Sequence, residues 1–235
     1  MRRKGFTLIE LLVVVGVLSI LVAFTLPALS SSRAAARHAG TLATLREHLA
    51  VMALDTQDFR DTYPSPDVAP SGRTTLRPPG RDAPYTIHYF GLSSAWPVML
   101  APYYGDTWPH PSHTFPGRSG TSRYLYSCAM IADPAFWNPA TRRGPSQWRG
   151  TRTAEVRYPA QKALLTAAID TEPYPPWITD GLLFGRCDAA AGFCPKSRLR
   201  APIDDGDGPF PGLAHVRGYS GLDTFDGVHG IDVQP

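Results

Sequence analysis

FTLIELLVVVGVLSILVAFTLPAL, residues 6–29, is the stretch that decides the architecture. Glu10 is the only charge in it. As an α-helix rising 1.5 Å per residue it would be about 36 Å long, more than the ~30 Å hydrocarbon core of a bilayer. Arg2, Arg3 and Lys4 stand directly before it. Basic flanks stay on the cytoplasmic side, so the sequence predicts an inward N-terminus and a body beyond Leu29 outside the cytoplasm. A conventional secretory signal has an apolar region of only about 7–15 residues ending at small residues. Ala28-Leu29-Ser30 imitates such a cut, but the run is too long, and no cysteine near it supports lipoprotein processing.

Working outward, the charge balance narrows the partners. The chain has 23 basic and 20 acidic residues, a formal net charge of +3. Arg2, Arg3 and Lys4 account for all of it, so a chain beginning at Phe6 is near neutral. No basic stripe suits a phosphate backbone, and nucleic acid is not expected. The 24 prolines and 21 glycines, against 18% charged residues, predict a loop-rich body with short regular elements. A length of 235 residues allows one core plus an appendage.

Glu10 needs a reason. A carboxylate in a membrane helix costs about 2.5–3.5 kcal/mol at the bilayer centre and less near an interface. Standing alone, it reads as a side chain reaching the headgroup region. Its surroundings change that reading: Arg2-Arg3-Lys4-Gly5-Phe6-Thr7-Leu8-Ile9-Glu10-Leu11-Leu12 resembles the type IV prepilin cleavage and methylation motif. The resemblance implies that prepilin peptidase, a membrane aspartyl protease, cuts between Gly5 and Phe6, and that the new Phe6 amine is N-methylated. A glycine before the scissile bond adds no side chain to obstruct a protease. Glu10 would then pair with the α-amine of a neighbouring subunit, and Pro27 resembles a pilin proline near the end of the buried half-helix, where it loosens a turn. Gly16 and Ser19 would let helices approach closely.

The sequence after Leu29 is alanine-rich and free of proline until Pro64. Leu42, Leu45, Leu49 and Met52 recur at helical spacing, with Arg46, Glu47 and His48 between them, which predicts one helix from Phe6 to about Phe59. The resemblance turns this into an α+β, pilin-like fold: a long helix packed on a small antiparallel sheet with Pro/Gly-rich loops. The expected division is a cytoplasmic leader at 1–5, a transmembrane half-helix at 6–29, an amphipathic half at 30–60 and an extracytoplasmic body at 61–235. Strands are expected at Tyr85–Leu92, Arg123–Met130, Lys162–Ile169, Gly181–Phe184 and Gly221–Val228, and a short helix or turn at Ser94–Tyr104. Ser32 to Arg37, Leu45-Arg46 and Tyr63-Pro64 also resemble a paralogous prepilin-like subfamily whose C-terminal signature is His, nine residues, Asp-Gly. Here ten residues separate His215 from Asp226, and Val228-His229-Gly230 departs from the usual order.

Other chemistry is sparse. Cys187 and Cys194 bracket a short segment that a disulfide worth about 2 kcal/mol could close in an oxidising compartment, leaving Cys128 over; three unpaired thiols are the alternative. Asp204, Asp205 and Asp207 beside two glycines are the oxygen-rich, sharply turning material of calcium sites, though the full spaced loop is absent and an acidic surface turn fits as well. His110 and His113 flank a proline and read as a loop. No activated nucleophile, paired acid and base or phosphate loop is visible, so no catalytic residue is assigned and an enzyme is not expected. The expected role is a structural subunit, major or minor, of a type IV pilus or type II secretion pseudopilus. Its expected partners are prepilin peptidase, other pilin or pseudopilin subunits, the inner membrane and the assembly platform. The competing functions are a membrane-anchored binding protein that never polymerises and an anchored hydrolase using His215, Asp226 or the acidic loop at Asp204–Asp207.

Overall fold

The computed structural model describes residues 7–67, 69, 71–79, 84–105, 124–167, 181–200 and 227–234. The chain divides into two compact units, residues 1–40 and 41–235. Helix α1, Leu8–Asp58, begins in the first and ends in the second. The fold is α+β and pilin-like, as the resemblance implies, and its long helix is the one that the spacing of residues 6–59 predicts.

From Leu11 to Leu29 the surface of α1 is apolar all round. Fifteen large apolar side chains from Leu8 to Leu29 are each at least 46% exposed. Hydroxyls on this stretch are folded back onto helix carbonyls, Ser19 Oγ donating to Val15 O (2.8 Å) and Ser30 Oγ to Pro27 O (2.8 Å). This satisfies polar groups without water, as an apolar solvent requires. Pro27 lies inside the helix and supplies no N–H, so the Ala23 carbonyl loses its i+4 donor.

In the second unit the helix buries one stripe. Leu45, Leu49 and Met52 are 0–2% exposed, and Leu42 packs against the same core. The helix ends at Arg60 and Asp61, both with positive φ (56° and 59°), and Asp61 N donates to Thr56 O at 2.9 Å, closing a Schellman-type turn. The main sheet is an antiparallel meander of β3 (Tyr124–Tyr126), β4 (Ala163–Ala167), β5 (Gly181–Arg186) and β6 (Ala191–Pro195), in that spatial order. A hairpin of β1 (Arg73–Leu76) and β2 (Tyr85–His88) stands apart from it. One-turn helices α2 (Leu92–Ala95) and α3 (Ala101–Tyr104) fill the stretch expected to be helix or turn. Gly185 is where helix meets sheet: a Cβ there would lie 2.7 Å from Leu49 Cδ1. Aromatic rings complete the core, with Tyr89 stacked on Trp148 (centroids 5.2 Å, 10°) and Phe90 on Phe136 (5.5 Å, 20°).

The strands at 124–126, 163–167 and 181–186 fall within or overlap the expected segments, while Tyr85–Leu92 keeps strand geometry only to His88. The Gly221–Val228 segment lies mostly outside the described residues, and its described end is a 3-10 turn, Gly227–His229. The fourth strand of the sheet is β6 instead. That strand corrects the disulfide expectation. Register pairs Cys194 with Leu182, whereas Cys187 lies just past the end of β5. At ~3.3 Å per residue the two Cα atoms are about 16 Å apart, far beyond the ~7 Å a disulfide tolerates. None of Cys128, Cys187 and Cys194 is joined in a disulfide.

Candidate functional site

Thr7 and Glu10 open α1 as a capping box. The Thr7 amide and hydroxyl both donate to Glu10 Oε2 at 2.8 Å, and the Glu10 amide donates to Thr7 Oγ1 at 3.3 Å. The T-x-x-E signature ahead of an apolar run carries this arrangement, and the sequence reading used Glu10 without seeing its partner. Among the described residues no donor reaches Glu10 Oε1. The carboxylate is thus held at the positive end of the helix dipole with one oxygen engaged and the other presented. Gly5 and Phe6 lie outside the described residues.

Behind the box, the helix is long and apolar enough to cross a membrane, and none of its most apolar window is buried. Each large apolar side chain left in water forgoes roughly 1.5–3 kcal/mol of burial. Fifteen of them are exposed along this stretch, which fits an apolar environment around it.

Residues 1–26 match the family model described as the prokaryotic N-terminal methylation motif. The chain is therefore type IV prepilin-like at its N-terminus. No curated protein and no solved structure matches the chain significantly. The motif and the apolar helix of this prepilin-like precursor fit a membrane-anchored protein.

The remaining candidate residues are less informative. Asp204, Asp205, Asp207, His110, His113, His215 and Asp226 fall outside the described residues, and among the described residues no three His, Cys, Asp or Glu side chains group closely enough to hold a metal. A cleft of about 200 Å³ lies between Leu49, Met52, Thr56, Tyr63, Leu164 and Cys187. Its one thiol is a poor nucleophile. Burial pushes Cys187 up to about 12 despite its hydrogen bond with Tyr63 and the nearby Lys162 ammonium, so the thiolate is scarce at neutral pH.

Three buried polar features escaped the sequence reading. His48, expected on the polar side of the helix, is 0% exposed; its Nδ1 is 2.8 Å from Tyr104 Oη, and its ring meets Trp96, Tyr104 and Tyr124 edge to face. Lys162 is wholly buried against Asp232 at 3.1 Å, and Asp232 also accepts the Ala163 amide at 2.8 Å. Asp55 is 6% exposed, with Asp58 beside it. Tyr103 Oη donates to Asp58 Oδ2 at 2.8 Å.

Proposed function

We propose that the chain is a structural subunit, major or minor, of a type IV pilus or type II secretion pseudopilus, cleaved after Gly5, N-methylated at Phe6 and assembled through its N-terminal helix. The observation that carries this reading is the pairing of a matched methylation motif with an apolar helix whose lone carboxylate, Glu10, is held at the helix start with one oxygen engaged. A positive α-amine from a neighbour at Phe6 is the chemistry that would complete such a carboxylate. Pro27 supports assembly by freeing one carbonyl where subunit helices must adjust to each other.

On this reading residues 1–5 are a cytoplasmic leader, 6–29 leave lipid for a bundle of subunit helices, 30–60 carry the body and 61–235 lie outside the inner membrane. The partners are prepilin peptidase, sibling subunits and the assembly platform. Mass spectrometry of the native N-terminus is the test: a methylated Phe6 is expected, and a chain beginning at Met1 or near Ser31 would overturn the proposal. Glu10→Ala should insert in the membrane normally yet fail to enter filaments, whereas a membrane anchor that never polymerises would be indifferent to it. We further propose Asp204, Asp205 and Asp207 as a calcium site; calorimetry showing no calcium binding to the purified chain would end that assignment.

A further inference from the structure

The cleft beside the last turns of α1 lies wholly within the second unit, between the helix, β4 and the turn that joins β5 to β6. Its floor is apolar. Leu49, Met52 and Leu164 are buried there. The polar side chains among them are already engaged: Thr56 Oγ1 donates to Met52 O at 2.7 Å, and the Tyr63 hydroxyl is hydrogen-bonded to the Cys187 thiol. Burial holds that phenol and that thiol in their neutral forms. A floor whose polar groups bond one another offers water little, and so it favours an apolar occupant.

The rim is different. Ala53, Gln57 and Asp61 are exposed there, and Asp61 carries the one charge among the described residues that line the cleft. Its backbone is pinned: φ is 59°, its amide donates to Thr56 O at 2.9 Å and its carbonyl accepts from Thr153 N at 2.8 Å. Across the cleft, Ala189 turns the chain from β5 to β6 at φ 62°, and its amide donates to Arg186 O at 3.0 Å. Arg60, Asp61 and Ala189 are the non-glycine residues with positive φ among the described residues, so left-handed backbone gathers at this rim. Such conformations collect at ligand clamps, where they fix the direction in which a contact is presented. Asp188 beside Ala189 is engaged with Arg186 at 3.2 Å, and Arg60 does not line the cleft, which leaves Asp61 to set the charge at its mouth.

Size selects the occupant. A volume of about 200 Å³ is below the roughly 300–1,000 Å³ of pockets that enclose a cofactor-sized ligand, while about 150 Å³ suffices for a benzene ring. One large apolar side chain fills it. A ring or branched aliphatic group seated in such a pocket is the anchor that protein partners use, and a carboxylate at the edge favours a positive neighbour to that anchor. We propose that this cleft receives a large apolar side chain of a partner protein, flanked in that partner by a lysine or arginine that meets Asp61. The site belongs to the body alone and does not depend on whether α1 polymerises.

The test uses the full-length chain in a non-ionic detergent, with isotope-labelled methionine methyls read by NMR. Met52 lines the cleft, whereas Met99 and Met130 belong to the core away from it. The capped peptide acetyl-Gly-Leu-Lys-Gly-amide should shift the Met52 methyl saturably at millimolar concentration and leave Met99 and Met130 in place. Replacing its leucine by alanine should weaken binding about tenfold, and replacing its lysine by glutamate about threefold. Asp61→Asn, which keeps a residue tolerant of left-handed backbone, should erase the difference between lysine and glutamate. Ala53→Phe, at an exposed helix position, should block the cleft, and unmoved Met99 and Met130 methyls show that either variant is folded. A Met52 methyl indifferent to the leucine peptide, or moved as well by the alanine one, would overturn the apolar anchor. Equal affinity for the lysine and glutamate peptides would overturn the basic neighbour. A Met52 shift produced by concentrating the chain alone would make a second copy the occupant, and tighter binding of free isopentylamine than of the peptide would make it a small amine; either result overturns the partner protein.

Discussion

Asp55 shows how a single side chain couples this body to pH. Burial first, and the neighbouring Asp58 second, push its carboxyl from an ordinary 3.8 up to about 6, with Tyr103 and Tyr126 also facing it. A carboxyl raised in the folded state binds its proton more tightly there than in the unfolded chain. Its contribution is therefore favourable at low pH and is lost as pH rises from about 4 through 6. Urea midpoints of the detergent-solubilised chain at pH 5 and pH 7 should show this as a loss on the order of 1 kcal/mol, after allowing for solvent screening. Asp55→Asn should flatten that slope and leave the variant the more stable protein at pH 7; an undiminished slope would assign the effect elsewhere. Lys162 and Asp232 obey the opposite logic, because each satisfies the other in a dry site. Asp232→Ala should cost about 3–5 kcal/mol in denaturant unfolding by removing the buried carboxylate that faces the ammonium, whereas Lys162→Met combined with Asp232→Leu should cost much less. Neither partnership was legible in the sequence: the lysine and the aspartate are 70 residues apart, and a charged residue at the edge of a strand reads as solvated.

At the scale of elements, legibility follows length and pattern. Helix α1 was readable because 51 residues of unbroken propensity change from an all-round apolar surface to a single stripe at Leu42, Leu45, Leu49 and Met52. His48 misled because polar residues between stripe positions usually face water; here Tyr104 Oη and three aromatic rings make a polar pocket inside the core. Strand β4 was readable as a buried run, but β6 was not: Ala191-Gly-Phe-Cys-Pro195 includes a glycine and a proline, only Cys194 is buried, and pairing with β5 rather than propensity holds it. Missing β6 is also what made the Cys187–Cys194 disulfide look reachable, since a hairpin strand carries its residues away from the turn at ~3.3 Å each. Within the methylation motif the cap from Thr7 to Glu10 went unread although its spacing carries the signature, and its geometry shows which carboxylate oxygen the helix already uses. The docking of α1 on β5 turns on Gly185, where a side chain would enter the space of buried Leu49. Gly185→Val should destabilise the body by about 1–3 kcal/mol through overpacking. A melting temperature unchanged from wild type would mean that the helix yields at this contact.

The whole molecule divides its two physical tasks along the chain. Every buried apolar residue of the described core lies at Leu45 or later, while the exposed apolar side chains of Leu8 to Leu29 satisfy nothing in that core. Stability of the body and affinity for an apolar solvent are thus set by separate stretches of sequence, and under the proposed function that separation would let a subunit exchange lipid for other helices without unfolding. Removing residues 1–29 tests the separation directly. It deletes fifteen large exposed apolar side chains and no buried one. The shortened chain should therefore be soluble without detergent, unfold in one cooperative transition and keep a denaturation midpoint close to that of the body in the full chain. His48 should stay locked against Tyr104, so its imidazole resonances should be those of one ordered environment. If the shortened chain instead aggregates, or unfolds without cooperativity, the N-terminal stretch is part of the folding unit, and a subunit could not leave the membrane with its body intact.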